Sequence, residues 1–161
     1  MIWKELDEKR IYLGLKAENT DEVFEQLGKP LIEDGFAKEN YVDALKEREA
    51  EFSTGLPTSI AVAIPHTSAE YVNKTTYSIA VLEKPVQFVE MGTEDDIVNV
   101  EIVFMLTIAE AHGHIEKLQR VMAMIQDADV LQKIKNAKDA KEIIEIVKQK
   151  EETLWVRKKL L

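Results

Sequence analysis

An α/β fold, a sheet sandwiched between helical layers, is what this sequence predicts, on three observations. Runs rich in Val, Ile and other apolar residues at 60–64, 76–82 and 99–108 read as strands. Segments around them carry apolar residues at helical spacing, notably 20–34, 39–51, 114–127 and 137–149. The two kinds of segment alternate irregularly, which favours one sheet covered by helices over a bundle or a β-sandwich.

Taken in order, Ile11–Ala17 alternate well enough for a first strand. Asn19 or Thr20 caps the next helix, whose face holds Val23, Leu27 and Leu31. Pro30 is expected to kink or divide it, and Gly35 to end it. In the helix over 39–51, Tyr41, Leu45, Arg48 and Phe52 form one stripe, which puts a guanidinium on the face expected to be buried. Arg48 then either meets an anion or carbonyls there, or reaches the rim and pairs locally. Gly55 and Pro57 mark a turn into the strand at 60–64. Lys84-Pro85 is expected to break the strand at 76–82, with Val86 and Phe88 continuing in an extended segment. The run 99–108 is continuously apolar towards its end, as a central strand buried on both faces would be. A helix that starts near Ala111–Gly113 and runs to about Asp127 buries Ile115, Leu118, Met122 and Ile125, a short helix covers Val130–Ile134, and Asn136 caps the helix at 137–149. The tail LWVRKKLL is amphipathic and suited to pack on the domain or on a sister subunit, which leaves a homo-oligomer open.

Length and composition narrow the chemistry. A chain of 161 residues without linker, repeat or low-complexity stretch reads as one domain over 1–161, with a core at about 11–150 and a tail at 151–161. Net charge of −9 argues against a nucleic-acid partner. No apolar run approaches the roughly 20 residues of a membrane span. The start MIWKELDEKR is too charged for a signal peptide, so a cytoplasmic protein is expected. There is no cysteine, which removes disulfides, thiolate catalysis and Cys-based metal sites.

Three histidines remain. His66 follows Ile64-Pro65, where Pro ends the strand and an imidazole is delivered to its tip. Three readings of it are open. As a nucleophile it would accept and pass on a phosphoryl group, with Arg48, His114 and the hydroxyls of Thr67 and Ser68 as donors. As a metal ligand it would need His112 and His114, but these stand two apart and cannot share a helical face. As a structural residue it would belong to a binding module without chemistry.

STGLPTSIAVAIPHT (53–67) resembles the phosphohistidine motif of the enzyme IIA proteins of the bacterial sugar phosphotransferase system, fructose/mannitol superfamily. YVDALKERE (41–49) is similar to that family's helix ending in Arg-Glu, and HIEKLQRVMAMIQD (114–127) to its helix opening on a second histidine. KPVQFVEMG (84–92) and VEIVFMLTI (100–108) resemble its following strands; the resemblance is strongest to the galactitol-type branch, whose likeness in the LPT and KPVQF segments favours transport over regulation. The resemblance implies a three-layer α/β/α sandwich with a mixed sheet. It implies His66 as the phosphorylated residue, Arg48 as the clamp on phosphoryl oxygens, and His114 as an orienting neighbour. It assigns His112 to a loop and Glu49 to no role. It implies no cofactor and no metal. The partners implied are the histidine-containing phosphocarrier protein (HPr) and a IIB component, with IIC reached through IIB, docked over a shallow, partly apolar patch around Leu56 and Ile64. The other function it allows is a regulatory module that acts on a partner through its phosphorylation state.

Overall fold

The computed structural model describes residues 1–160, the side chain of Lys158 apart. Five strands form one mixed sheet: β1 (Ile11–Leu15), β2 (Gly55–Leu56), β3 (Val62–Ala63), β4 (Thr76–Val89) and β5 (Ile97–Thr107). Their spatial order is β1-β4-β5-β3-β2. β1 runs parallel to β4 and β3 parallel to β5, while β4–β5 and β2–β3 are antiparallel.

Helices cover both faces, so the predicted layering holds. On one face, α1 (Thr20–Glu33) and α2 (Tyr41–Glu51) bury Val23, Phe24, Leu27, Leu31, Tyr41 and Leu45 against Ala80, Phe88, Val103 and Met105. On the other, α3 (His114–Ile125), α4 (Ala128–Lys135) and α5 (Ala140–Leu160) close over Val62, Ile64, Ile79, Ile102, Phe104 and Leu106. From Ile102 to Leu106, alternate residues of β5 feed the two cores, as period-two side-chain geometry requires. Gly28 lets α1 and α2 approach closely, since a Cβ there would stand 2.7 Å from Cγ2 of Val42.

Several boundaries differ from the sequence reading. Pro30 does not divide α1; it falls in the last turn, with only three residues after it before the helix ends, and Asn19 caps the start through Glu22 N–H at 2.9 Å. β4 runs on past Lys84-Pro85, because a register shift between Val81 and Val86 takes up the proline as a bulge. Gly55 is not only a turn residue but starts an edge strand. The α3 stripe is rotated: Val121 and Met124 are buried, while Ile115 is 72% exposed. α5 is capped not by Asn136, which closes α4, but by Asp139, whose carboxylate accepts from Glu142 N–H at 2.8 Å. It also continues through 151–160, so the tail is helix rather than an appendage; Leu161, the last residue of that segment, lies outside the described residues. Glu151 ties this extension to the chain start by accepting from Ile2 N–H and Trp3 N–H at 3.0 and 2.7 Å.

Candidate functional site

The end of α2, the tip beyond β3 and the start of α3 meet at one place on the sheet. Regular pairing of β3 stops at Ala63, yet the chain stays extended, and His66 forms an isolated parallel bridge to Leu106. Ile64 and Pro65 beneath it are buried, so the imidazole stands on a rigid base. The Nδ1 of His66 lies 2.8 Å from the Ile64 carbonyl oxygen. A carbonyl only accepts, so Nδ1 carries the proton and Nε2 presents its lone pair. Burial pushes this imidazole below its ordinary value of 6.5; the nearby His114 and the positive charge of Arg48 act in the same direction, against the Ile64 carbonyl. Its neutral, nucleophilic form is therefore the one present at pH 7.

His114 opens α3 behind Gly113, whose φ of 85° makes the sharp entry that a side chain would resist. Its ring lies edge-on to that of His66, with centroids 5.5 Å apart and planes at 61°. Burial and Arg48 lower its affinity for a proton as well. Its Nε2 is buried without a hydrogen-bond partner among the described residues, an orphan that an incoming oxygen would satisfy.

Of the two readings open for Arg48, buried or at the rim, the structure takes the rim. Tyr41 and Leu45 sink into the core, but α2 leaves the core before its last turn, and Arg48 is exposed. Its guanidinium stacks over the ring of Phe52 at 4.5 Å, itself 52% exposed. The charge is thus held at the site, open to a partner, by an aromatic face.

The remaining expectations fare unevenly. The Thr67 and Ser68 hydroxyls are engaged elsewhere, donating to the Ser68 carbonyl and to Glu70 at 3.0 Å each. Ile64 is fully buried and Leu56 half-buried, so the exposed apolar groups beside the site are Phe52 and Ile115 instead. His112 is exposed in the loop before α3, and no group of three His, Cys, Asp or Glu among the described residues is placed to hold a metal ion. Sequence reasoning missed the use of Glu49. Its carboxylate accepts from Thr54 N–H at 2.7 Å and from the Thr54 hydroxyl at 2.6 Å. The signal was present as a Thr five residues on, inside the turn that precedes the strand.

Residues 4–150 match the family model described as phosphoenolpyruvate-dependent sugar phosphotransferase system, EIIA 2. The chain belongs to this phosphotransferase family. Among relatives of this EIIA 2 chain, the mannitol-specific EIICBA component of Pasteurella multocida is 32% identical over 89% of it. The chain spans about a fifth, 22%, of that longer protein. The mannitol-specific phosphotransferase enzyme IIA component of Staphylococcus aureus is 27% identical, over 86% of this chain and 92% of its own length. The crystal structure of IIA mannitol from Escherichia coli is similar with a TM-score of 0.71, 26% identity, and coverage of 88% and 97% of the two chains. The nitrogen regulatory protein IIA-Ntr from Neisseria meningitidis is similar with a TM-score of 0.76, 26% identity, and coverage of 91% and 98%. These EIIA likenesses carry the α/β architecture; those to transport components are to mannitol proteins and lend no support to a galactitol-type branch. Among the described residues no helix is long and apolar enough to cross a membrane.

Proposed function

We propose that this chain is the phosphoryl-carrying EIIA unit of a mannitol-type polyol phosphotransferase system, acting on the cytoplasmic side as one domain. The observation that carries the reading is the pose of His66: Nδ1 donates to the Ile64 carbonyl, and Nε2 is left free beside Arg48 and His114. In the step we propose, the Nε2 lone pair attacks phosphorus of the phosphocarrier's phosphohistidine. The carrier's N–P bond breaks and its electron pair returns to the carrier's imidazole. No proton has to leave His66, because Nδ1 keeps its own throughout. Arg48 meets the charge of the transferring oxygens, and His114 supplies a hydrogen bond from the nitrogen that is otherwise orphaned. Transfer onward is to a cysteine thiolate of a IIB partner, by a second displacement at phosphorus. A structure of E. coli IIA mannitol in complex with phosphorylated IIB supports that choice of partner. Phe52 and Ile115 form the apolar part of the docking rim.

The galactitol-type alternative rests on the LPT and KPVQF segments, and the mannitol relatives outweigh it. The test is to charge the chain with phosphate and offer purified IIB of each type. We expect transfer to a mannitol-type IIB at least tenfold faster than to a galactitol-type one; the reverse order assigns the galactitol branch.

A regulatory reading has an observation of its own. Residues of this chain are 32% identical, over 61% of its length, to the transcriptional regulator ManR of Bacillus subtilis. The likeness to IIA-Ntr points the same way. A charged chain that passes phosphate to neither IIB would favour it.

A further inference from the structure

Glu49 is placed where local physics disfavours it. It lies in the last turn of α2, at the negative end of the helix, and its carboxylate is largely buried. Among the described residues its hydrogen-bond partner is Thr54, which is neutral, and burial raises its proton affinity above the ordinary carboxylate value against those two bonds. A residue kept against such costs usually serves the site rather than the fold.

What it holds is a continuous chain of hydrogen bonds. The two carboxylate oxygens take both donors of Thr54, at 2.7 and 2.6 Å, and Thr54 is 2% exposed. The Thr54 carbonyl accepts from Ile64 N–H at 3.2 Å. The Ile64 carbonyl in turn accepts from Nδ1 of His66 at 2.8 Å. Arg48 is the preceding residue on the same helical turn. The carboxylate therefore ties the turn that carries the guanidinium to the peptide that orients the imidazole.

We infer that Glu49, acting through Thr54 and the Ile64 peptide, is a positioning residue that fixes the His66 tautomer and its placement relative to Arg48. Glu49 touches no transferring atom. The inference rests on His66 being the phosphoryl acceptor, but part of it is readable without any transfer.

The test uses the full chain, labelled with nitrogen-15, as wild type, Glu49→Gln, Glu49→Ala, Thr54→Val and Thr54→Ser. Ring nitrogen shifts of neutral His66 report the tautomer, and single-turnover transfer from the phosphorylated carrier reports the rate constant and its half-saturation. Wild type and Thr54→Ser are expected to hold the Nδ1–H tautomer. In Glu49→Gln and Thr54→Val the Nε2–H tautomer should become populated. Their transfer rate constant should fall about 10–100-fold, as a small misplacement of reacting groups does, with half-saturation unchanged within about twofold. Glu49→Gln keeps the side chain's volume, so it carries the test if Glu49→Ala does not fold. An unchanged tautomer and rate in folded Glu49→Gln and Thr54→Val overturn the inference, and so does a loss seen only in half-saturation. If wild type takes no phosphate while the tautomer still shifts in the variants, the carrier reading fails and the positioning relay stands.

Discussion

Replacing Arg48 with Ala is expected to slow phosphoryl transfer about 100- to 1,000-fold, equivalent to about 3–4 kcal/mol of transition-state stabilisation. The guanidinium is exposed and stacked on Phe52, and its charge reaches both imidazoles strongly enough to disfavour their protonated forms. Burial does most to keep His66 neutral, and the Arg48 charge that adds to it also attracts the phosphoryl oxygens as they approach. Fold stability should change by less than about 0.5 kcal/mol, because the side chain contributes nothing to the core. Lys at position 48 restores part of the rate, keeping the charge while losing the planar fork and much of the stacking. Single-turnover transfer and thermal unfolding, run on the same preparations, separate the two effects. Normal transfer with a much lower unfolding temperature would make Arg48 a structural residue.

Gly55→Ala is expected to destabilise the fold by about 1–3 kcal/mol, as overpacking a tight contact does. A Cβ at position 55 would stand 2.7 Å from the Val89 carbonyl oxygen and 3.1 Å from Cβ of Phe88. Val89 O belongs to the backbone of β4 and cannot swing aside as a flexible side-chain end would. The β2 hairpin must lift instead, straining the bond from Met91 N–H to the Gly55 carbonyl at 2.8 Å. Thr54 moves with it, so transfer should slow as well. Calorimetry should show an unfolding temperature lowered by several degrees, at about 2–4 °C per kcal/mol for a chain of this size. An unchanged temperature would mean that the edge strand is not seated as described.

Where a residue's chemistry acts locally, its consequence was legible in the sequence. Pro65 holds Ile64 extended and delivers His66 beyond the strand whatever surrounds it, and helical spacing brings Arg48 to the end of α2. What depends on the far side of a contact was not legible. The stripe through Tyr41, Leu45 and Arg48 does not say where α2 leaves the core, so the choice between a buried and a rim guanidinium stays open until the helix is packed. Pro85 reads as a strand breaker because the bulge that absorbs it is a property of the β4–β5 register. Asn136 and Asp139 are equally good caps by type, and packing of α4 against α5 decides between them. Glu49 and Thr54 find each other only once the turn at 52–54 has folded. The LPT and KPVQF segments are too short to settle which sugar or polyol is served.

The central claim is that one phosphoryl group rides on Nε2 of His66. Incubating the chain with phosphoenolpyruvate, enzyme I and the phosphocarrier, then locating the modification by mass spectrometry and nitrogen-resolved NMR, tests it directly. A single acid-labile phosphate is expected on the His66 Nε2, absent from a folded His66→Gln variant. Phosphate that persists in that variant, or that is found on His114 or on the His66 Nδ1, would contradict it.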